Sequence, residues 1–166
     1  LGMHIGDNVF LPASTWVDES YCFLISIGDN CGFGEGCAIL AHDAQMNELL
    51  GVTLVGHVII RASCHIGART VILPGVEIGP RTLVGANSVV THSLPPDTVC
   101  AGAPARVICS LDEYLDRHRA RLPKAPVFSF ERFRDPARVS PEDRARLLEA
   151  LRDGPGYVGD VSDEPS

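Results

Sequence analysis

The sequence predicts an all-β solenoid built of six-residue repeats and followed by a helical extension, on three observations within residues 54–89. The first residue of every six is aliphatic, the fifth is small or β-branched, and glycine recurs at the second. Neither a helix nor a simple alternating strand produces this period. The aliphatic positions are Leu54, Ile60, Ile66, Ile72, Ile78 and Val84, the fifth positions are Val58, Cys64, Thr70, Val76, Thr82 and Ser88, and the glycines are Gly67, Gly79 and Gly85.

The same repeat is present at the amino end, where Ile5, Leu11 and Val17 are six residues apart. The next aliphatic residue in phase is Ile27, ten residues after Val17 instead of twelve. This slip predicts a shortened or bulged turn around the segment SYCFLIS. The phase then continues through Phe33 and Ile39, with Cys31 and Cys37 at fifth positions.

A second interruption separates Ile39 from Leu54 by fifteen residues instead of twelve. The extra residues lie in the segment AHDAQMNELLG, which predicts a loop insertion at about 41–53. From Leu54 to Val90 the phase does not slip, so Leu54 is expected to point inward with the other first-position residues.

Each hexapeptide is expected to form one short strand and one tight turn, with three hexapeptides, or eighteen residues, closing one coil. First-position side chains then stack inside the coil, and small fifth-position residues fit its corners. One such coil cannot bury its own apolar face, so several must stack as in other repeat proteins.

The segment after Val90 predicts the end of the solenoid. Pro95 and Pro96 are expected to stop it, because proline cannot donate a hydrogen bond to a strand ladder. A short final strand is expected at 107–108, so the chain is divided into a domain at 1–106 and an extension at 107–166.

The extension predicts two helices joined by an irregular or extended connector. Ser110 caps the first, in the segment SLDEYLDRHRARL, where Leu111, Tyr114, Leu115 and His118 stand near helical spacing. Ser140 caps the second, with Pro141 at its first position and Gly154 at its end. The tail GYVGDVSDEPS is short and acidic and is expected to be mobile.

Composition excludes several partners. The formal charge is −7 and Lys and Arg do not cluster, which argues against nucleic acid or an anionic membrane as partner. No run of eighteen apolar residues predicts a membrane span, and the segment LGMHIGDN lacks a signal-peptide pattern. Six cysteines without a CxxC pair indicate structural thiols in a reducing compartment, so a cytoplasmic location is expected.

The loop at 41–53 is the first candidate site, because a stiff repetitive scaffold acquires function where it is interrupted. It begins with Ala41, His42 and Asp43. Histidine titrates near neutral pH and suits the role of general base, while the alternative is an ordinary surface histidine. Asp43 or Glu35 would orient its ring if either approaches it, and the sequence leaves that partner open.

The second candidate is the segment from Gly85 to Ile108, GANSVVTHSLPPDTVCAGAPARVI. Its GAxSVVT, PP-containing and AGxPAR-V-I elements resemble the closing signature of the hexapeptide-repeat acyltransferases. These include galactoside, maltose, xenobiotic and polysaccharide O-acetyltransferases. The resemblance covers roughly residues 5–106 and implies a left-handed parallel β-helix, an exception to the usual hand of parallel crossovers.

The resemblance also implies a catalytic residue and a cofactor site. His42 occupies the place of the family's catalytic histidine. Acetyl-CoA, as co-substrate, is expected in a groove beside the coils. Backbone groups of Ala68 and Ala86, one coil apart, would contact its pantetheine arm, and Thr91 and Arg106 would lie near its nucleotide end.

Two positions depart from the family pattern. His92 replaces the usual lysine after Val-Thr and carries less charge near pH 7. His65 stands where an aromatic residue, commonly Trp, precedes Ile-Gly. Arg69 and Arg81 are candidates to supply the missing charge, although solvated surface residues are the ordinary explanation of both.

By the same resemblance, the expected reaction is direct acetyl transfer to a hydroxyl of a sugar or sugar-containing acceptor, with His42 as general base and no metal. An antibiotic, an amino sugar nitrogen or an amino acid remains an open acceptor. The expected assembly is a homotrimer with active sites at the subunit interfaces.

Two other functions stay open at this point. The γ-class carbonic anhydrases use this solenoid with zinc-binding histidines, two of them five residues apart. His57 and His65 are eight apart here, and stoichiometric zinc in the purified protein would revive that hypothesis. A non-catalytic trimeric scaffold is the third possibility, and failure of a folded chain to bind CoA would favour it.

Overall fold

The repeat region folds as three parallel sheets of very short strands. The structure is a computed structural model and describes residues 2–159. In chain order the strands of this region are β1 His4–Ile5, β2 Trp16–Val17, β3 Ile25–Ile27, β4 Gly32–Phe33, β5 Ala38–Ile39, β6 His42–Asp43, β7 Leu54–Val55, β8 Val58–Ile60, β9 His65–Ile66, β10 Val71–Ile72, β11 Glu77–Ile78, β12 Leu83–Val84, β13 Val89–Val90, β14 Thr98–Ala101 and β15 Arg106–Ser110.

The chain visits the three sheets in turn. The first sheet has the order β1-β3-β8-β11, the second β4-β9-β12-β14 with β15 at its edge, and the third β2-β5-β10-β13. Within the regular coils, Ile60 pairs with Ile78 and Ile72 with Val90, each pair eighteen residues apart. The prediction of three hexapeptides per coil is therefore confirmed.

The interior of the coils is the core that the period predicts. First-position residues from Ile60 to Val90 are buried, and so are the fifth-position residues from Val58 to Ser88. Cys31, Cys37 and Cys64 point inward as expected, and their thiols donate to backbone carbonyls. Burying one isoleucine side chain contributes about 2–3 kcal/mol, so the stacked column stabilises each coil on its neighbours.

Two edges of this solenoid matter for function. The turns that lead from the third sheet back to the first are residues 18–24, 40–57, 73–76 and 91–93, and we call this edge the looped corner. The turns from the second sheet to the third include 34–37, 67–70 and 85–88. We call that edge the alanine corner, because it carries Ala68 and Ala86.

The first interruption lengthens a turn and does not shorten it. Val17 pairs with Ile39, twenty-two residues later, so this coil holds four residues more than a regular one. The added residues belong to the looped corner and include a 3₁₀ turn at Cys22–Leu24. Of the two predicted possibilities, the bulged turn is correct and the shortened one is wrong.

The second interruption is larger than the sequence period suggested. Ile27 pairs with Ile60, thirty-three residues later, so fifteen residues are inserted at the looped corner. They form the antiparallel hairpin of β6 and β7 with helix α1 Asn47–Leu50 between them. The prediction that Leu54 points inward is wrong, because Leu54 lies in this hairpin and is 48% exposed.

The prediction that Pro95 and Pro96 stop the solenoid is also wrong. Leu94 bridges to Ile78 in the first sheet, and β14 pairs in parallel with β12 in the second. The two prolines lie in the turn between these contacts, where the ladder requires no backbone N–H. Strand β15 then reverses and pairs antiparallel with β14, which ends the parallel stacking.

The described chain divides into two units, the first through Tyr114 and the second from Leu115. Helix α2 Leu111–Arg121 begins after Ser110, whose hydroxyl accepts from the N–H of Glu113 as the predicted cap requires. The predicted boundary near residue 106 stays a prediction.

In the second unit, helix α4 Pro141–Ala150 begins as predicted. The Ser140 hydroxyl accepts from the N–H of Asp143, but the helix ends at Ala150, four residues before Gly154. The connector is more regular than expected, and the tail beyond residue 159 lies outside the described residues. The elements of this unit are the 3₁₀ turn Leu122–Lys124, β16 Val127–Phe128, α3 Phe130–Phe133, α4 Pro141–Ala150 and β17 Tyr157–Val158, which pairs with β16.

Within residues 2–159, every helix is too short and too polar to cross a lipid bilayer.

Candidate active site

His42 lies at the start of the large insertion, in β6 on the looped corner. Its side chain is 27% exposed, so one part of the imidazole reaches solvent while the rest is packed. The Nδ1 atom is 2.5 Å from Oδ2 of Asp18, and the ring of Tyr21 lies beside it with a centroid distance of 5.1 Å. Residues of the first interruption, Asp18 and Tyr21, therefore contact His42 of the second.

Asp18 is placed by the stacking of the third sheet. Because Val17 pairs with Ile39, the residue after each enters the looped corner at neighbouring levels. The Asp18 carboxylate is fully buried there. Its Oδ1 accepts from the N–H groups of Ser20 and Tyr21, and its Oδ2 accepts from the N–H of Ala41 as well as facing His42.

These contacts keep Asp18 ionised. Burial by itself raises the pKa of a carboxyl group, but the hydrogen bonds from His42, Tyr21 and Ala41 outweigh it and hold the pKa of Asp18 below its ordinary value. An ionised carboxylate can only accept hydrogen bonds, so the proton between the two side chains belongs to Nδ1 of His42. The Nε2 atom then carries the lone pair that a general base needs.

The orienting partner is thus neither of the two acids that the sequence left open. The Asp43 carboxylate accepts from the N–H of Gln45 within its own turn. Glu35 accepts a hydrogen bond from the hydroxyl of Ser14 on the alanine corner.

Ala68 and Ala86 lie one coil apart on the alanine corner, as the repeat predicts. The N–H of Asn87 donates to the carbonyl of Ala68 at 2.9 Å, which fixes the stacking of the two turns. Within residues 2–159, the N–H groups of Ala68 and Ala86 donate no hydrogen bond. Two backbone donors are therefore available about 4.8 Å apart, the spacing of neighbouring strands.

A cleft of about 500 Å³ runs along the second sheet beside this corner. Glycines of the corner and mainly apolar residues of the sheet line it, with His65 among them where the family pattern has an aromatic residue. Its members are Phe10, Gly32, Phe33, Gly34, His65, Ile66, Gly67, Leu83, Val84, Gly85, Val99 and Tyr114. An extended apolar chain with amide groups fits such a cleft and the adjacent backbone donors.

The charged and polar candidates divide between the two corners. Arg106 follows the turn 102–105, in which the N–H of Gly102 donates to the hydroxyl of Ser88 on the alanine corner. Arg106 is exposed, and its Nη1 donates to the carbonyl of Ala105. Thr91 and His92 lie on the looped corner, where the Thr91 hydroxyl is 2.7 Å from Nδ1 of His92. Arg81 pairs with Asp97 across one coil, so it is a structural cation here.

The chain therefore does not bring all of the predicted residues together. His42, Thr91 and His92 share the looped corner, while Ala68, Ala86 and Arg106 lie at the alanine corner, and the third sheet separates the two. Within residues 2–159, no three His, Cys, Asp or Glu side chains are grouped to hold a metal ion.

Asp18 is a candidate site residue that sequence reasoning missed. It stands twenty-four residues before His42 and outside the 41–53 loop. The sequence contained one indication of this contact. Both interruptions of the repeat follow a third-sheet strand, which places residues 18 and 40–42 at the same corner.

Comparisons with known proteins agree with this architecture. A family model described as bacterial transferase hexapeptide (six repeats) matches residues 57–92. Galactoside O-acetyltransferase of Escherichia coli K12 is 31% identical over 122 residues, which are 70% of this chain and 57% of that protein. A crystal structure of a hexapeptide-repeat acetyltransferase from Vibrio cholerae, complexed with acetyl-CoA, superposes with a TM-score of 0.60 at 32% identity, covering 66% of this chain and 61% of that one.

A further relative has a different acceptor in its name. The 2,3,4,5-tetrahydropyridine-2,6-dicarboxylate N-acetyltransferase of Clostridium perfringens SM101 is 49% identical over 55 residues, which are 33% of this chain and 23% of that protein.

The chain belongs to the hexapeptide-repeat acyltransferase family. It spans less than two thirds of the length of the galactoside enzyme and of the Vibrio protein.

Proposed function

We propose that this protein is an acetyl-CoA-dependent acetyltransferase with His42 as its general base, acting on a hydroxyl of a sugar or sugar-containing acceptor. The observation that carries the proposal is the Asp18–His42 pair, which stands at the opening of the insertion in a chain of this family. Asp18 orients a neutral imidazole and is ready to stabilise the imidazolium that forms, as the acidic member of a catalytic triad does.

Each candidate residue has a separate role in such a reaction. Acetyl-CoA supplies an activated thioester. Nε2 of His42 takes the proton of the acceptor hydroxyl, Asp18 holds Nδ1, and the transfer is direct. The N–H groups of Ala68 and Ala86 bind the pantetheine amides beside the cleft, and Arg106, with its exposed guanidinium, binds phosphate. Thr91 and His92, on the looped corner of a neighbouring copy, complete the nucleotide end.

A hydroxyl acceptor is favoured over an amine by the share of the chain that each relative covers. The galactoside enzyme aligns with 70% of the chain, whereas the N-acetyltransferases align with 55 to 88 residues, or 33% to 53% of the chain. A shorter match reflects the shared scaffold more than an acceptor site. An amine acceptor is the second candidate, and a panel of sugars and amines distinguishes the two.

The assembly we propose is a homotrimer of left-handed β-helices in the cytoplasm, with each active site shared between two copies. The separation of the two corners within one chain supports this arrangement, because a neighbouring copy is needed to bring a looped corner beside an alanine corner. Closed cyclic symmetry repeats that contact at every interface.

His42→Ala tests the mechanism directly. Loss of the base is expected to lower kcat by about 10²- to 10⁴-fold, since general-base catalysis contributes that much. Release of free CoA thiol in the presence of an acceptor panel measures turnover, and calorimetry measures CoA binding, which is expected to persist.

His118→Ala is the matched control, because His118 lies in the second unit, where its Nδ1 contacts the Tyr157 hydroxyl. It is expected to keep turnover near that of the wild type. A His42→Ala variant with wild-type turnover would refute the assignment, and a folded wild type that binds no CoA would favour a scaffold.

A further inference from the structure

We propose that Tyr21 is a positioning residue for His42, whose aromatic ring holds the imidazole in place and screens the Asp18–His42 hydrogen bond from water. The inference rests on the proposed function, since it assigns a role in the same acetyl transfer. Tyr21 lies in the four-residue lengthening of the first coil, a segment that the regular repeat does not require.

Tyr21 contacts both members of the pair. Its ring centroid is 5.1 Å from that of His42, with the planes inclined by 49°, and its backbone N–H donates to Oδ1 of Asp18 at 3.1 Å. Phe23 packs against Tyr21 with a centroid distance of 6.1 Å. One short turn thus fixes the carboxylate through its backbone and the imidazole through its side chain.

A single hydrogen bond at Nδ1 still allows the imidazole to tilt, which moves Nε2 relative to the acceptor hydroxyl. A ring packed against the imidazole removes that freedom. When His42 takes up a proton, the aromatic ring within 6 Å also favours the resulting cation. The ring also keeps water away from the Asp18–His42 hydrogen bond. Because the surroundings then have a low dielectric constant, this hydrogen bond is stronger.

The role belongs to the ring and not to the hydroxyl. Within residues 2–159, the Tyr21 hydroxyl makes no hydrogen bond. Tyr21→Phe is therefore expected to behave like the wild type, while Tyr21→Leu keeps an apolar side chain and loses the aromatic ring.

The experiment compares Tyr21→Phe, Tyr21→Leu and the control Phe130→Leu, which removes a half-exposed ring from the second unit. The first readouts are kcat and the KM for acetyl-CoA. The second is the rate at which diethyl pyrocarbonate modifies His42, followed by peptide mass spectrometry. Tyr21→Leu is expected to lower kcat roughly tenfold with KM unchanged and to speed modification several-fold, because a misplaced base is a less effective one.

The control and Tyr21→Phe are expected to match the wild type in both readouts. A folded Tyr21→Leu with wild-type kcat and wild-type modification rate would overturn the inference. So would a Tyr21→Phe as impaired as Tyr21→Leu, since that result assigns the effect to the hydroxyl. If the wild type transfers no acetyl group, the proposed function fails, and the modification rate still decides whether Tyr21 shields His42.

Discussion

The buried carboxylate of Asp18 determines which nitrogen of His42 is free to act. Four donors surround it, three of them backbone N–H groups of the looped corner. Because an ionised carboxylate donates nothing, the single proton of a neutral imidazole lies on Nδ1 and the lone pair on Nε2. The geometry of the corner thus selects one tautomer of the neutral imidazole, which the sequence alone leaves open.

Asp18→Asn is expected to lower kcat by about 10²- to 10⁴-fold, because an amide can present its NH₂ to Nδ1 and favour the wrong tautomer. Turnover at saturating acetyl-CoA measures it. Asp43→Asn is the matched control, since Asp43 accepts from Gln45 and is expected to keep most activity. Equal losses in the two variants would contradict the assignment of Asp18.

The lowered pKa of Asp18 also predicts a pH dependence of stability. A group with a depressed folded-state pKa stabilises the fold fully above its unfolded pKa, here about 3.8, and this contribution is lost as pH falls through the folded pKa. Urea unfolding at pH 6 and pH 3 is expected to show wild type more stable than Asp18→Asn at the higher pH, with a smaller difference at the lower one. A difference independent of pH would contradict this.

At the scale of single elements, the solenoid depends on close contact between successive turns. A Cβ on Gly67 would lie 2.4 Å from the backbone N of Ala86, so the glycine is required by the approach of the turn above it. This contact also holds the turns that carry Ala68 and Ala86 at a fixed spacing.

Gly67→Ala is therefore expected to destabilise the fold by about 1–3 kcal/mol, the usual cost of forcing extra volume into a packed site. Urea unfolding measures the change. Gly159→Ala is the control, because a Cβ there would have no heavy atom within 4 Å. A Gly67→Ala variant as stable as the wild type would show that the turns can separate.

The sequence predicts these elements well wherever the period is unbroken. Ile60, Ile72 and Ile78 are buried as expected, because each coil repeats the same local geometry. Leu54 fits the same column and is exposed, since a six-residue spacing does not tell whether the chain has re-entered the coil or still lies in a hairpin. Asp18 was missed because the ten-residue spacing from Val17 to Ile27 leaves open whether the turn after Val17 is shortened or lengthened. The pairing of Val17 with Ile39 shows that this coil gains four residues, which brings Asp18 beside His42.

At the scale of the molecule, the two halves of the candidate site lie at different corners of one solenoid. His42 and Asp18 belong to the looped corner, and Ala68 and Ala86 to the alanine corner, with the third sheet between them. We therefore expect one copy to supply the base of each active site and a neighbouring copy to supply the cofactor groove. Light scattering of the purified protein is expected to give the mass of a trimer.

Mixing two inactive variants tests this arrangement most directly. His42→Ala removes the base, and Ala86→Trp obstructs the groove, so each homotrimer alone is expected to be inactive. Co-refolded in equal amounts, the chains form mixed interfaces, and about one quarter of the sites combine an intact base with an intact groove. We expect the mixture to recover about a quarter of wild-type turnover. A mixture no more active than its two parents would contradict an active site shared between two copies.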